Sequence, residues 1–211
     1  MSAESDIAVI GLTGQSGAGK TTVCKVFAEN GFAIINADQI SRAIMDKDTP
    51  CLNETVECFG RVILNEDGTL NRKMLGDIVF GCKEKLKQLN AISYPYITSE
   101  ILRLINKYAA ENCKYVLLDA PTLFESRADD FCDLIISVTA TEKNRAERVA
   151  ARDGLTPEQI KARFSSQHSE KFFINHSDFI IKNNKSEEAL KEKAQEVAEK
   201  IKEYYNAEET R

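Results

Sequence analysis

Ile7-Ala8-Val9-Ile10-Gly11-Leu12-Thr13-Gly14-Gln15-Ser16-Gly17-Ala18-Gly19-Lys20-Thr21-Thr22-Val23-Cys24-Lys25-Val26-Phe27-Ala28 holds three patterns in register. The apolar run Ile7–Leu12 is too short for a helix and suits a strand buried on both faces. Gly14–Thr21 matches G-x-x-x-x-G-K-[ST] at every fixed position, and a helix opens behind it. The glycines let the backbone turn its N–H groups inward. With the helix N-terminus they form a nest for anions. Gly14, Gly17, Ala18, Gly19 and the amides of Lys20, Thr21 and Thr22 are therefore expected to hold a triphosphate. Lys20 would reach the β- and γ-phosphates, and the Thr21 hydroxyl would serve Mg²⁺.

Outward from this stretch, further short apolar runs alternate with helical patterns. The runs are Phe32–Ile35, Tyr115–Leu118, Leu134–Val138 and Phe179–Ile181. Such alternation predicts a parallel α/β sheet of five strands. The stretch between the second and third runs is far longer than a crossover needs. It reads as mostly helical, with Leu86, Leu89, Ile92, Ile97, Ile101, Leu104 and Ile105 near helical spacing and Pro95 expected to kink or divide that helix. Asn65-Glu66-Asp67-Gly68 is a turn signal. We read this region as a substrate-binding insertion. Thr141 is placed to cap a helix that ends at Gly154, and Thr156-Pro157-Glu158-Gln159 carries a capping box. A last helix, about 186–205, shows Leu190, Ala194, Val197, Ala198 and Ile201 on one face.

The chain has 211 residues, is 43% hydrophobic and carries 28 basic and 33 acidic side chains, a formal net charge of −5. That composition supports a full core and excludes overall disorder. It is a poor match for wrapping a nucleic-acid polymer. No stretch has the length and apolarity of a membrane helix, and Met1–Leu12 lacks the basic start of a secretory leader. The six cysteines form no C-x-x-C pair and have no His at metal spacing, so reduced, buried or half-buried thiols of a cytoplasmic protein are expected. A monomer is expected, with weak oligomerisation left open.

Several side chains offer chemistry beside the loop. Asp38 follows the second strand, where strand ends face a ligand crevice, and could accept a proton from an acceptor hydroxyl. It could equally cap the helix Gln39–Arg42. Asp119 ends the third strand as an acidic residue beside Mg²⁺ would, or caps the turn before Pro121. Arg145, Arg148 and Arg152 share one helical face, with Arg163 on the next helix; they could neutralise phosphate charge or pair with Glu142 and Glu147. Arg42 and Arg72 are candidates for an anionic acceptor. His168 and His176 are read as surface or loop residues without a base role. Asn184-Lys185-Ser186-Glu187 falls short of the guanine-binding N-K-x-D by its last residue. A small-molecule kinase fits best. A kinase for a nucleoside or nucleotide, a GTPase-type switch and an inactive binding module are the rivals.

Further blocks follow in a definite order: Ala37-Asp38 with Ile40-Ser41-Arg42, Asp67-Gly68-Thr69-Leu70-Asn71-Arg72 with Leu75 and Phe80, Leu89-Asn90 to Pro95, Asp119-Ala120-Pro121-Thr122-Leu123-Phe124-Glu125, Arg148 to Arg152-Asp153 with Arg163 and Gln167, and Asp178 to Asn183. Together with the glycine loop, the chain resembles the dephospho-CoA kinases over about residues 7–184. The resemblance implies a P-loop NTPase three-layer α/β sandwich with a five-stranded parallel sheet. Its core would span about 1–38, 111–140 and 171–211, with a helical CoA-binding insertion at about 39–110 and a lid at about 141–170. It implies transfer of the ATP γ-phosphate to the ribose 3′-hydroxyl of dephospho-CoA, the last step of coenzyme A synthesis, with Mg²⁺. Asp38 would be the base or the hydroxyl-positioning carboxylate. Lys20, Arg148 and Arg152 would bind nucleotide phosphates, Asp119 and Thr21 would serve the metal, and Thr13, Arg42 and Arg72 would lie on the acceptor side. Asn36, Tyr94, Thr122 and Ser177 depart from the Asp, His, Leu and Ala usual in that family.

Overall fold

In a strand, alternate side chains point to opposite faces, and the first strand uses both. The computed structural model describes residues 7–209. The reading of residues 1–6 as free of a leader, and the outermost ends of the proposed core, lie outside them. All seven residues of β1 (Ala8–Gly14) are buried. Ala8, Ile10 and Leu12 join one core with Val23, Val26 and Phe27 of α1 (Lys20–Glu29) and Leu190, Ala194, Ala198 and Ile201 of α9 (Glu187–Glu209). The last four lie on the helical face expected from their spacing. On the opposite face Gly11 leaves room for Leu123 and Cys132, either of which a β-carbon would meet within 3 Å.

The other strands are β2 (Ala33–Asn36), β3 (Tyr115–Asp119), β4 (Leu134–Thr139) and β5 (Phe179–Lys182). Their order is β2-β3-β1-β4-β5, and β1 runs parallel to both β3 and β4, as β4 does to β5. The five-stranded parallel sheet is thus as expected. The strand order reverses beside β1, so a ligand crevice is expected at its C-terminal end, where Leu12 pairs with Asp119. Phe27 is fully buried with its ring 4.8 Å from that of Phe32. Phe27→Ala is expected to cost about 3–5 kcal/mol. Urea unfolding should read this as a lower midpoint at unchanged slope, and a loss under about 1 kcal/mol would mean that the ring is not core.

The remaining helices are α2 (Ala37–Ala43), α3 (Pro50–Phe59), α4 (Arg72–Val79), α5 (Lys83–Ala110), α6 (Glu142–Asp153), α7 (Pro157–Ser165) and α8 (Glu170–Asn175). The chain divides into two units, one holding the sequence up to Ile35 and from Ile105 onward, the other Asn36–Leu104. In the second unit Ile63, Leu75 and Val79 form a core with Val56, Leu70, Leu86 and Leu89 packed around it. Gly68, at φ 83°, closes the turn expected there, and Leu64 and Leu70 pair across it. Pro95 does not divide α5, which runs unbroken through it. Proline deprives only the carbonyl four residues earlier of its partner, and that residue, Ala91, is exposed, so water can replace the bond. The Thr141 cap, the Gly154 stop at φ 66° and the Thr156–Gln159 capping box are all formed.

Candidate active site

A helix leaves its first N–H groups without partners, and polar side chains ordinarily take them. Asn36, Thr49, Asn71, Thr141, Thr156 and Ser169 do so for six helices. Helix α1 differs. Its preceding residue is Gly19 at φ 108°, no side chain caps it, and its first turn holds no acidic residue. Its amides and positive dipole end are left for a ligand anion. The loop's carbonyls are held from outside: Asn183 Nδ2 donates to Ala18 O at 2.8 Å, and Arg148 Nη1 donates to Gly17 O at 3.3 Å. Arg148 Nη2 in turn donates to the carbonyl of Asn183 at 3.2 Å. Lys20 Nζ lies 3.0 Å from Gly14 O. Helix α6 packs so closely that a β-carbon at Gly17 would come within 2.7 Å of the Arg145 carbonyl.

The segment after α7 is also tied to the loop. Gln167 Oε1 accepts from Ser16 N at 3.1 Å, and Gln15 Nε2 donates to His168 O at 3.2 Å. Gln15, at a variable position of the motif, is 6% exposed. The sequence assigns no role to Gln15, and gives Asn183 and Gln167 only a place in a motif. A polar residue following a capping box, or standing at the end of a strand, carries no mark of which distant loop it will meet.

Asp119 ends β3 half-buried, with the Cys24 thiol hydrogen-bonded to it. Burial first, then the Asp119 charge, holds that thiol protonated well above its ordinary range. Burial likewise pushes Cys132 up to about 12. No disulfide is recorded among the described residues, but Cys58 is exposed, unlike the buried or half-buried state expected of the thiols. Thr13 is fully buried and donates to Pro121 O at 3.3 Å, tying β1 to the loop after β3.

In the second unit the cap of α2 is Asn36, whose Oδ1 accepts from Gln39 N at 2.9 Å. The capping role considered for Asp38 is therefore not its own: Asp38 is an exposed first-turn residue, two positions past the end of β2. Asp38 and Arg42 share one helical face, four residues apart. Arg72 Nη2 donates to Arg42 O at 3.1 Å, which ties Arg72 to the helix that carries Asp38 and Arg42. The same unit has a cavity of about 570 Å³ lined in part by Lys47, Leu52, Asn53, Arg61 and Leu64.

Among the described residues Arg152 and Arg163 pair with Asp153, not with the Glu142 or Glu147 of the alternative reading. Arg152 grips Asp153 through Nε and Nη2 at 2.7 and 2.9 Å, and Arg163 joins it at 2.5 Å. These guanidinium groups hold the Asp153 carboxyl far below the usual carboxylate range. His168 stacks on Phe172 at 3.7 Å, and His176 Nδ1 bonds Phe172 O. Asn184 accepts from Thr141 N and Ser186 caps the start of α9, so the near-match to a guanine element has structural work instead.

A parallel sheet carrying this glycine loop defines a P-loop NTPase fold, and the relatives of the chain make it an ATP-dependent kinase. The dephospho-CoA kinase family model matches residues 8–189. A dephospho-CoA kinase of Carboxydothermus hydrogenoformans is 36% identical over 194 residues, covering 92% of this chain and 94% of that protein. The structure of one from Campylobacter jejuni superposes with TM-score 0.63 at 27% identity, over 93% of this chain and 98% of the other. A Thermus thermophilus protein, TT1252, reaches TM-score 0.80 at 26% identity, over 92% and 98%. The chain belongs to the dephospho-CoA kinase family. A kinase for another nucleoside or nucleotide acceptor is not favoured. No described helix is long and apolar enough to cross a membrane.

Proposed function

We propose that the enzyme moves the γ-phosphate of ATP in line to the ribose 3′-hydroxyl of dephospho-CoA, with the residues named above sharing the work. The observation that carries this reading is the bare N-terminus of α1 behind its glycine loop. The amides of Gly17–Thr22 bind the phosphate tail, and Lys20 leaves Gly14 O for the β- and γ-oxygens. Arg148 serves both the loop and the nucleotide phosphates. Arg152 joins it by exchanging Asp153 for phosphate as the 141–170 segment closes as a lid and excludes water. Asp38 takes the proton of the attacking hydroxyl. Arg42 and Arg72 suit the acceptor's anionic pyrophosphate, and Leu52, Val56 and Leu64 of the 570 Å³ cavity, where Asp48 and Glu57 balance Lys47 and Arg61, suit its apolar arm. Thr13 acts at one remove, by fixing the Pro121 loop.

The metal donors are hard: the hydroxyl of Thr21 and the carboxylate of Asp119. Among the described residues no group of three His, Cys, Asp or Glu forms a cation cage. That donor set fits Mg²⁺, which keeps its waters and leans on substrate phosphates, and the protonated Cys24 does not compete for it. When bound, Mg²⁺ supplies charge neutralisation at the β- and γ-phosphates.

Coupled ADP detection tests the reading. ADP release should require dephospho-CoA, fall to background with excess EDTA and return with added Mg²⁺. Equal ADP release with nucleosides in place of dephospho-CoA would remove the acceptor assignment. Undiminished turnover in EDTA would remove the metal.

A further inference from the structure

A buried cation normally has its donors filled, because stripping water from a charge without a replacement is costly. Arg145 breaks that rule. It is 5% exposed, alone among charged side chains in the buried set of the described residues. Its Nε and Nη1 are sealed from solvent and meet no acceptor. The charges of Glu142 and Glu170 reach it, but neither carboxylate bonds those two nitrogens. Its guanidinium lies 4.1 Å from the ring centre of Phe164 on α7, and that ring face offsets part of the lost hydration. Its main chain rests on Gly17 in the middle of the phosphate loop.

The neighbouring arginines are already engaged, Arg148 by Gly17 and Asn183, and Arg152 by Asp153. Arg145 thus combines a main chain that touches the loop with a planar fork, stacked on Phe164, two of whose donors are unmet. Such a fork matches phosphate oxygens. Lys20, which serves the β- and γ-phosphates, is folded onto Gly14, three residues from the point that Arg145 touches.

We propose that Arg145 is a further nucleotide-binding residue of this kinase, donating through Nε and Nη1 to an oxygen of the β- or γ-phosphate of ATP. The inference rests on the reading of the glycine loop as the nucleotide site. It makes an unusual demand: the residue strains the free protein and is relieved by its ligand.

The experiment compares the wild type with Arg145→Met, Arg145→Lys and Lys20→Ala by thermal melting and by titration with ATP and AMP. Arg145→Met should melt at or above the wild-type temperature without nucleotide, because an apolar side chain replaces an unpaired buried charge. It should lose ATP affinity by roughly tenfold or more while AMP affinity holds. Arg145→Lys keeps the charge but not the fork; it should fold normally and show the same selective loss to a smaller degree, which keeps the test valid if the Met variant does not fold. A lower melting temperature with unchanged ATP affinity in both Arg145 variants overturns the proposal in favour of a stacking role. An equal loss for AMP also overturns it. The Lys20→Ala arm separates the two levels: if that variant binds ATP normally the loop reading fails, whereas if it loses ATP and the Arg145 variants do not, only the Arg145 inference fails.

Discussion

Asp38→Asn is expected to lower turnover roughly 10²–10⁴-fold while ATP affinity stays unchanged. The argument starts from the backbone. Asn36 takes the capping duty of α2, so the Asp38 carboxylate is not spent on the helix that carries it. It stands in the first turn, two residues beyond a strand whose C-terminal end belongs to a parallel sheet. An amide keeps the shape and loses the basicity, so the helix should survive and proton transfer should not. Single-turnover kinetics with saturating ATP and dephospho-CoA would read the chemical step directly. Turnover within a few-fold of wild type would take Asp38 out of the mechanism and leave positioning as the whole of catalysis.

Lys20→Ala is expected to weaken ATP binding and to lower turnover by about 10²–10³-fold, the loss typical when one preorganised donor is removed from developing charge. The ammonium group stands on the carbonyl of Gly14, so the substitution removes both a loop contact and a phosphate ligand. Lys20→Met separates the loss of the ammonium from the loss of the stem, since it keeps an apolar stem and removes the charge together with its contact to Gly14 O. If Lys20→Met binds ATP like the wild type, the ammonium is not a ground-state ligand of the phosphates.

Local patterns carried much of this architecture in the sequence. The strand, glycine loop and helix of residues 7–28 are contiguous, and their periodicities belong to that stretch alone. The caps at Thr141 and Thr156 are equally local, each read within four residues. What stayed hidden depends on distance along the chain. Ser16 meets Gln167 across 151 residues, and Asn183 meets Ala18 across 165. No spacing rule reaches so far. Arg145 lies on the same helical face as Arg148 and Arg152, so the three look alike in sequence. Packing against Gly17 and Phe164 buries the first, while Asp153 holds the last at the surface. The capping alternative for Asp38 fails for a smaller reason: Asn and Asp are almost equal in capping preference, and α2 begins at Ala37, two residues before the Gln39 start considered for it.

The excursion Asn36–Leu104 departs at the last residue of β2 but returns in the middle of a helix, since α5 runs on through Leu104 and Ile105. Adding or deleting one residue within α5 would shift the side chains on one side of the change by about 100° around the helix axis relative to those on the other. Length changes among homologues should therefore gather in the turns ahead of Lys83, and any chimera that exchanges the excursion must keep the rotational phase of α5 across its second splice.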